Sequence, residues 1–140
     1  MERPSLLYFI GIGGIGMSGL ARYYHRHGCL VAGYDRTPSE LTDELRAEGI
    51  HTIFTEDPAL IPERFREAAP REVLVVRTPA VPAGSPILKF WEERGASIRK
   101  RSEVLGLITR DRPTLAVAGT HGKTTVSTML APLLTQSAAR

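Results

Sequence analysis

A glycine-rich run near the end of the chain has the residue types and the order that suit a nucleoside triphosphate. After the apolar residues 115–118 the sequence continues Gly119-Thr120-His121-Gly122-Lys123-Thr124-Thr125. Glycines leave backbone N–H groups free to surround phosphate oxygens, and a following helix directs its positive end at them. Lys123 suits the outer phosphates, and the hydroxyl of Thr124 suits the Mg²⁺ that accompanies them. Because Val117 replaces the first glycine of the general P-loop pattern, the run matches a shortened variant.

A second glycine-rich run lies near the start of the chain and suits a diphosphate. Between an apolar segment and a helical pattern the sequence reads Gly11-Ile12-Gly13-Gly14-Ile15-Gly16. Such glycines permit a tight turn and a close approach of the backbone to a diphosphate. Asp35, about twenty residues later, is placed to accept hydrogen bonds from a ribose hydroxyl. This run alone suggests a dinucleotide cofactor, whereas both runs together indicate two nucleotide ligands, a diphosphate derivative and a triphosphate.

The composition argues against several functional classes. The 140 residues carry a net charge of +3, and no apolar run reaches the roughly 18 residues that span a bilayer. The first residues lack the pattern of a secretory signal, so we expect a cytoplasmic protein that binds no membrane. Cys29 is the single cysteine, which excludes an internal disulfide. The basic run 99–101 has no interleaved aromatic residues, so we expect no nucleic-acid partner.

Hydrophobic periodicity predicts strands that alternate with helices over the first 108 residues. The predicted strands cover residues 6–12, 30–34, 51–54, 72–77 and 96–98. The predicted helices cover residues 15–27, 37–49, 85–95 and 102–108. Because parallel strands need crossover connections, this alternation predicts an α/β fold with a Rossmann-like, doubly wound parallel sheet.

Polar residues at the predicted helix starts indicate how the helices are capped. Thr37 is expected to cap the second helix, with Pro38 in its first turn and Glu40 closing a capping box. Ser85 is expected to open the third helix, and Ser102 to cap the fourth.

The run 109–113 has the composition of a linker and marks a predicted domain boundary. We expect one domain over residues 1–108 and the start of a second α/β domain over residues 114–140. This second part would contain a strand at 114–118 and the helix after the phosphate-binding run. Pro132 falls inside that helix and removes a backbone hydrogen bond, so we expect it to kink or end the helix.

Four segments of the chain together resemble the Mur ligases of peptidoglycan synthesis. They are residues 9–21, 76–82, 100–106 and 118–125, in the order of the family and across nearly the whole chain. His121 is similar to the histidine of the ligase that adds L-alanine and of its recycling relative, whereas later ligases of the pathway tend to carry asparagine. The resemblance implies an ATP-dependent amide ligase that joins L-alanine to UDP-N-acetylmuramic acid through an acyl phosphate.

The resemblance also implies roles for individual residues. The first domain would bind the UDP-sugar, with the diphosphate on Gly11, Gly13, Gly14 and Gly16, and the uridine or sugar near Asp35, Thr78, Ala80 and Arg101. The ATP-binding residues would be Gly119, Thr120, His121, Gly122, Lys123, Thr124 and Thr125. Lys123 and Thr124 would be catalytic, because Lys123 steadies the transferring phosphoryl group and Thr124 holds Mg²⁺.

Two alternative functions stay open at this stage. The recycling ligase attaches a ready-made peptide to the same sugar nucleotide, although the segment 78–82 favours the alanine-adding enzyme. An NAD-binding Rossmann module is the other alternative, and the second phosphate-binding run argues against it. We expect this chain to be the N-terminal part of a three-domain ligase that binds the UDP-sugar and does not catalyse ligation by itself.

Overall fold

Five parallel strands form the central sheet in the computed structural model, which describes residues 4–110 and 112–138. In chain order the strands are β1 Leu6–Ile10, β2 Leu30–Tyr34, β3 His51–Ile53, β4 Val73–Arg77 and β5 Ser97–Lys100. Their order in the sheet is β3-β2-β1-β4-β5. All four neighbouring pairs are parallel, with Leu6 opposite Leu30 on one side of β1 and Val73 on the other.

Helices cover both faces of this sheet. They are α1 Ile15–Arg26, α2 Glu40–Ala47, α3 Glu63–Glu67, α4 Pro86–Glu93 and α5 Arg101–Thr109, with short 3-10 turns at Pro58–Leu60 and Pro70–Glu72. Leu7 and Phe9 of β1 share a buried cluster with Met17 and Leu20 of α1. The alternate strand residue Tyr8 shares the opposite cluster with residues of α3 and α4, among them Trp91. Burial on both faces explains the continuous apolar strands and confirms the predicted doubly wound α/β fold.

The observed ends of β1, β3 and β5 differ from the predicted ends by one to two residues. Strand β1 ends at Ile10, because the N–H groups of Gly11 and Ile12 both donate to the carbonyl of Tyr34 at 2.8 and 3.0 Å. Strand β3 ends at Ile53 rather than at residue 54, and β5 covers residues 97–100 rather than 96–98. Helix α3 was not predicted within its proline-punctuated stretch, although it buries Phe65.

Two of the predicted helix caps are wrong. Ser39 caps α2 and forms a capping box with Thr42. Thr37 lies two residues earlier, outside α2, where its N–H donates to the carboxylate of Asp35. The residue that closes the capping box is Thr42 rather than the predicted Glu40. Helix α5 begins at Arg101, which places Ser102 inside its first turn. Ser85 caps α4 as predicted, with its hydroxyl accepting from the N–H of Leu88.

The chain divides into two units, Met1–Ile108 and Thr109–Arg140. In the second unit, residues 114–118 form no strand, contrary to the prediction. A strand is stabilised by a hydrogen-bonded neighbour, and no described residue pairs with this segment. Helix α6, Lys123–Ala138, continues through Pro132, so the proline does not end it. Among the described residues, no helix has both the length and the apolar character needed to cross a membrane.

Candidate functional site

The first glycine-rich run forms a tight connection between β1 and α1. Gly11 adopts a φ of +89°, which is a left-handed conformation that favours glycine. The N–H of Gly14 then donates to the carbonyl of Gly11 at 3.3 Å, and α1 begins at Ile15. The predicted strand–turn–helix context of this run is therefore present in the structure.

The N-terminus of α1 has the properties of an anion-binding end. Its cap is Gly14, which has no side chain to satisfy the first backbone N–H groups, and its first turn holds no acidic residue. Helices α2 and α4 differ, because Ser39 and Ser85 accept hydrogen bonds from their first turns. Unsatisfied N–H groups and the positive end of the helix dipole together favour a phosphate or a carboxylate at this position.

Side chains from three other elements surround the glycines of this loop. A Cβ atom on Gly11 would lie 3.7 Å from Oγ1 of Thr78, which follows β4. A Cβ on Gly13 would lie 2.8 Å from Oδ2 of Asp35, at the end of β2. A Cβ on Gly16 would lie 3.0 Å from Nη1 of Arg101, at the start of α5. The structure thus brings Asp35, Thr78 and Arg101 to the loop, as a shared binding site requires.

Asp35 already accepts two backbone hydrogen bonds within the protein. Its Oδ2 accepts from the N–H of Gly13 at 2.7 Å, and its Oδ1 accepts from the N–H of Thr37 at 3.0 Å. A carboxylate has about four lone-pair positions, so a ribose hydroxyl has room to donate to it as well. The contact between Asp35 and a ribose therefore stays a prediction. The hydrogen bond from Gly13 to Asp35 is a second role that the sequence did not predict.

Arg101 brings a positive charge to the positive end of α1. Its guanidinium lies over Gly16 and is exposed to solvent. Among the ion pairs of the described residues, none involves Arg101. A guanidinium that lies beside a helix N-terminus without a carboxylate partner is well placed to share an anion with that helix.

Ala80 is the predicted site residue with the weakest structural support. It lies in the turn that the N–H of Val81 closes on the carbonyl of Thr78 at 3.3 Å. Its methyl side chain is exposed and offers no polar group. Its predicted place near the uridine or sugar stays a prediction.

The second glycine-rich run belongs to the second unit of the chain. Gly119 and Gly122 adopt φ angles of +152° and +78°, and α6 begins directly after Gly122. Lys123, Thr124 and Thr125 are exposed in the first turn of α6. Thr120 and His121 are exposed in the loop before it. A shallow, open groove along α6 includes Lys123 and Thr124, and residues of this one helix form its whole lining.

This second loop fits a nucleotide phosphate with an accompanying cation. The two glycine conformations turn the backbone into the helix, and its first turn contains a lysine and hydroxyl residues but no acidic residue. Lys123 and the first-turn N–H groups would hold the phosphates, and the hydroxyl of Thr124 would face Mg²⁺. Among the described residues, no cluster of three histidine, cysteine or acidic side chains forms a metal site independent of a nucleotide.

Comparison with known proteins decides the family. A family model described as Mur ligase family, catalytic domain, matches residues 6–113, which is most of the chain. This chain belongs to the Mur ligase family. The family predicted from the four sequence segments is therefore confirmed.

Individual relatives of this Mur ligase chain are longer proteins. The UDP-N-acetylmuramate–L-alanine ligase of Porphyromonas gingivalis is 53% identical over 131 residues, which are 94% of this chain and 28% of that protein. The structure of UDP-N-acetylmuramate-alanine ligase MurC from Thermotoga maritima matches with a TM-score of 0.77 and 32% identity, over 92% of this chain and 29% of that one. A murein peptide ligase from Psychrobacter arcticus matches with a TM-score of 0.82 and 26% identity, over 96% and 27% of the two chains.

The site of this Mur ligase chain includes residues that the sequence patterns did not indicate. Tyr34 supplies the carbonyl that holds the loop start, and Thr42 approaches Gly13, with its Cγ2 3.0 Å from where a Cβ would lie. Burial raises the pKa of the Tyr34 phenol, the carboxylates of Glu56 and Asp35 raise it further, and Arg36 partly opposes them. The Tyr34 hydroxyl therefore stays protonated at neutral pH. The position of Tyr34 at the carboxyl end of β2 was the available signal.

Proposed function

We propose that this chain provides the UDP-sugar-binding unit and the ATP-binding loop of a UDP-N-acetylmuramate–L-alanine ligase. The observation that carries the proposal is the anion-binding end of α1, with its uncapped N–H groups and the guanidinium of Arg101 over Gly16. A nucleoside diphosphate derivative has the charge and the length to place its diphosphate there and its nucleoside along the carboxyl edge of the sheet.

In this proposal, residues of the first unit bind and orient the sugar nucleotide. The first-turn N–H groups of α1 and the guanidinium of Arg101 hold the diphosphate oxygens. Thr78 offers a hydroxyl to the uridine or the sugar beside the glycine loop, and Asp35 holds that loop in place through the N–H of Gly13. Their task is to hold the lactyl carboxylate of the sugar in a fixed position, which lowers the entropic part of the reaction barrier.

The second unit would bind ATP and Mg²⁺ at residues 119–125. When bound, ATP supplies the phosphoryl group that activates the carboxylate for attack by the amine of L-alanine. The ammonium of Lys123 neutralises charge that develops on that phosphoryl group, and the hydroxyl of Thr124 holds Mg²⁺ in position. These roles rest on the exposed positions of both side chains in the first turn of α6.

A peptide ligase is the second candidate function. The murein peptide ligase from Psychrobacter arcticus has the higher TM-score of the two structures compared, 0.82 against 0.77. The sequence favours L-alanine, because identity within the same comparison is 32% with the alanine ligase structure and 26% with this peptide ligase. Both candidates use the same sugar nucleotide, so the proposal for the first unit is common to them.

Thermal unfolding of this chain with added ligands tests the proposal for the first unit. A ligand that binds only the folded state raises the melting temperature. We expect UDP-N-acetylmuramate to raise it and NAD at the same concentration to leave it unchanged. Stabilisation by NAD without stabilisation by the UDP-sugar would contradict the proposal and favour a dinucleotide-binding module. Mg-ATP, titrated in parallel, tests the second unit.

A further inference from the structure

The carboxylate of Asp35 joins two separate parts of the backbone. One oxygen accepts from the N–H of Gly13, 22 residues earlier in the chain, at 2.7 Å. The other accepts from the N–H of Thr37 at 3.0 Å, in the turn between β2 and α2. The glycine loop and this turn are therefore connected through one side chain.

Close packing accompanies these two hydrogen bonds. A Cβ on Gly13 would lie 2.8 Å from Oδ2 of Asp35 and 3.0 Å from Cγ2 of Thr42, so the loop backbone lies directly against both side chains. Thr42 is buried and belongs to the capping box of α2. The loop is thus packed against the start of a capped helix.

We propose that Asp35 is a positioning residue. In the ligand-bound protein, its carboxylate, rather than a phosphate of the ligand, accepts the hydrogen bond from the N–H of Gly13. The inference rests on the proposed function of this site. A phosphate and a carboxylate do not share one N–H group, because their negative charges repel at that distance. Asp35 therefore directs the diphosphate to the first-turn N–H groups of α1 and to Arg101.

This inference differs from a direct contact between Asp35 and the nucleoside. A residue that contacts the ribose or the base affects binding of uridine and of UDP alike. A residue that acts through the loop affects binding of UDP, which has a diphosphate, and leaves binding of uridine unchanged.

The experiment uses Asp35→Ala and Asp35→Asn in this chain. Alanine removes both hydrogen bonds, whereas asparagine keeps one acceptor oxygen and so at most one of them. Asp57→Asn is the matched control, because the carboxylate of Asp57 also accepts from a backbone N–H two residues later, that of Ala59 at 2.9 Å, but lies in another turn. Exchange of the Val75 amide in β4, an interior strand between β1 and β5, reports whether each variant is folded.

Two NMR measurements give the readouts. In the protein without ligand, we expect the Gly13 amide of Asp35→Ala to exchange at least about tenfold faster than in the wild type, since the lost bond joins an N–H to a charged acceptor. In titrations, we expect the dissociation constant of UDP to rise about tenfold for Asp35→Ala, and less for Asp35→Asn. The dissociation constant of uridine stays unchanged in both, and Asp57→Asn changes none of these values.

Other results would contradict the proposed role of Asp35 or the proposed function of the first unit. An equal loss of uridine and UDP affinity in a folded variant would show a direct nucleoside contact and overturn the proposal. Unchanged Gly13 exchange, or unchanged UDP affinity, would overturn it as well. If the wild type binds neither ligand, the proposed function of the first unit is wrong, and the exchange of Gly13 alone decides whether Asp35 holds the loop.

Discussion

The two glycine-rich loops of this chain differ in what surrounds them. The loop at residues 11–16 follows a buried strand and lies against Asp35, Thr78 and Arg101. The loop at residues 119–125 follows a segment without strand pairing, and its side chains are exposed. Before the helix, the first loop has one glycine with positive φ, Gly11, and the second has two, Gly119 and Gly122. The loop sequence therefore determines the turn into the helix, whereas the groups that distinguish one ligand from another come from other elements.

The first prediction concerns the strand beneath the first loop and has the largest expected effect. A Cβ on Gly33 in β2 would lie 2.6 Å from the carbonyl oxygen of Phe9 and 2.7 Å from Cδ1 of Ile12. We expect Gly33→Ala to lower the free energy of unfolding by about 3 kcal/mol, because the backbone of β1 cannot move away without strain. Chemical denaturation measures this effect.

Gly19→Ala is the matched control for this substitution. Gly19 lies in α1, and a Cβ there would meet no atom within 4 Å. Alanine favours a helix over glycine, so we expect a gain of about 0.5–1 kcal/mol. Similar effects of the two substitutions would contradict the close packing of the first loop on its strand.

The second prediction concerns the charge beside the first loop. Arg101→Met keeps an unbranched apolar side chain and removes the guanidinium that lies over Gly16. We expect the affinity for UDP-N-acetylmuramate to fall about tenfold, the loss of one charge-assisted contact. Titration calorimetry at two salt concentrations measures it, and the variant is expected to depend less on salt.

Arg99→Met provides the control for Arg101. Arg99 lies two residues earlier at a position of intermediate burial, with 42% of its side chain exposed, and pairs with Glu103 only at 4.0 Å. We expect this substitution to change affinity by less than about twofold, because exposed ion pairs contribute little. Equal losses at both positions would mean that general positive charge, and not the position over Gly16, attracts the ligand.

The third prediction concerns the stability of the first unit at alkaline pH. Tyr8 lies in the core of the first unit, where its buried hydroxyl has no hydrogen-bond partner among the described residues. Residues 109–140 contain no tyrosine. Burial raises the pKa of the Tyr8 phenol, and Tyr34 raises it further. The unfolded chain therefore loses this proton first, so stability is lost as pH rises above about 10.

Tyr8→Phe removes this hydroxyl and is expected to weaken the alkaline loss. We expect it to raise the free energy of unfolding at neutral pH by about 1 kcal/mol, because the hydroxyl has no partner to compensate its desolvation. Circular dichroism during denaturation at pH 7 and at pH values above about 10 measures both effects. An alkaline loss as large as in the wild type would show that other groups cause it.

The fourth prediction concerns the second loop and has the smallest expected effect on the first unit. Lys123 is exposed and lies in the second unit. We expect Lys123→Ala to change the free energy of unfolding of the first unit by less than about 0.5 kcal/mol. Its effect on binding of UDP-N-acetylmuramate is expected to be below detection in the same calorimetric titration, whereas binding of Mg-ATP decreases. A loss of sugar-nucleotide binding would mean that the two loops depend on each other.

The sequence predicted the parallel sheet because buried parallel strands are continuous apolar runs and their crossovers have helical periodicity. The glycine loop, and the positions of Asp35, Thr78 and Arg101 near it, were predicted only from the motifs and the family resemblance. The sequence did not predict the Ser39 cap, since Thr37 has an equally suitable side chain and only the folded backbone, which starts α2 directly after Ser39, distinguishes them. The contact between Asp35 and Gly13 depends on the positions of two loop ends, which periodicity does not encode.

The order of the sheet has a consequence for synthesis of the chain. Strand β1 is translated first, but it occupies the middle of the sheet between β2 and β4. One of its edges is paired once residue 34 has left the ribosome, whereas the other waits for residue 77. At about 5–20 residues per second, the nascent chain carries an open apolar strand edge for a few seconds. Unpaired edges of this kind template aggregation, so the open edge of β1 exposes the nascent chain to that risk during this interval.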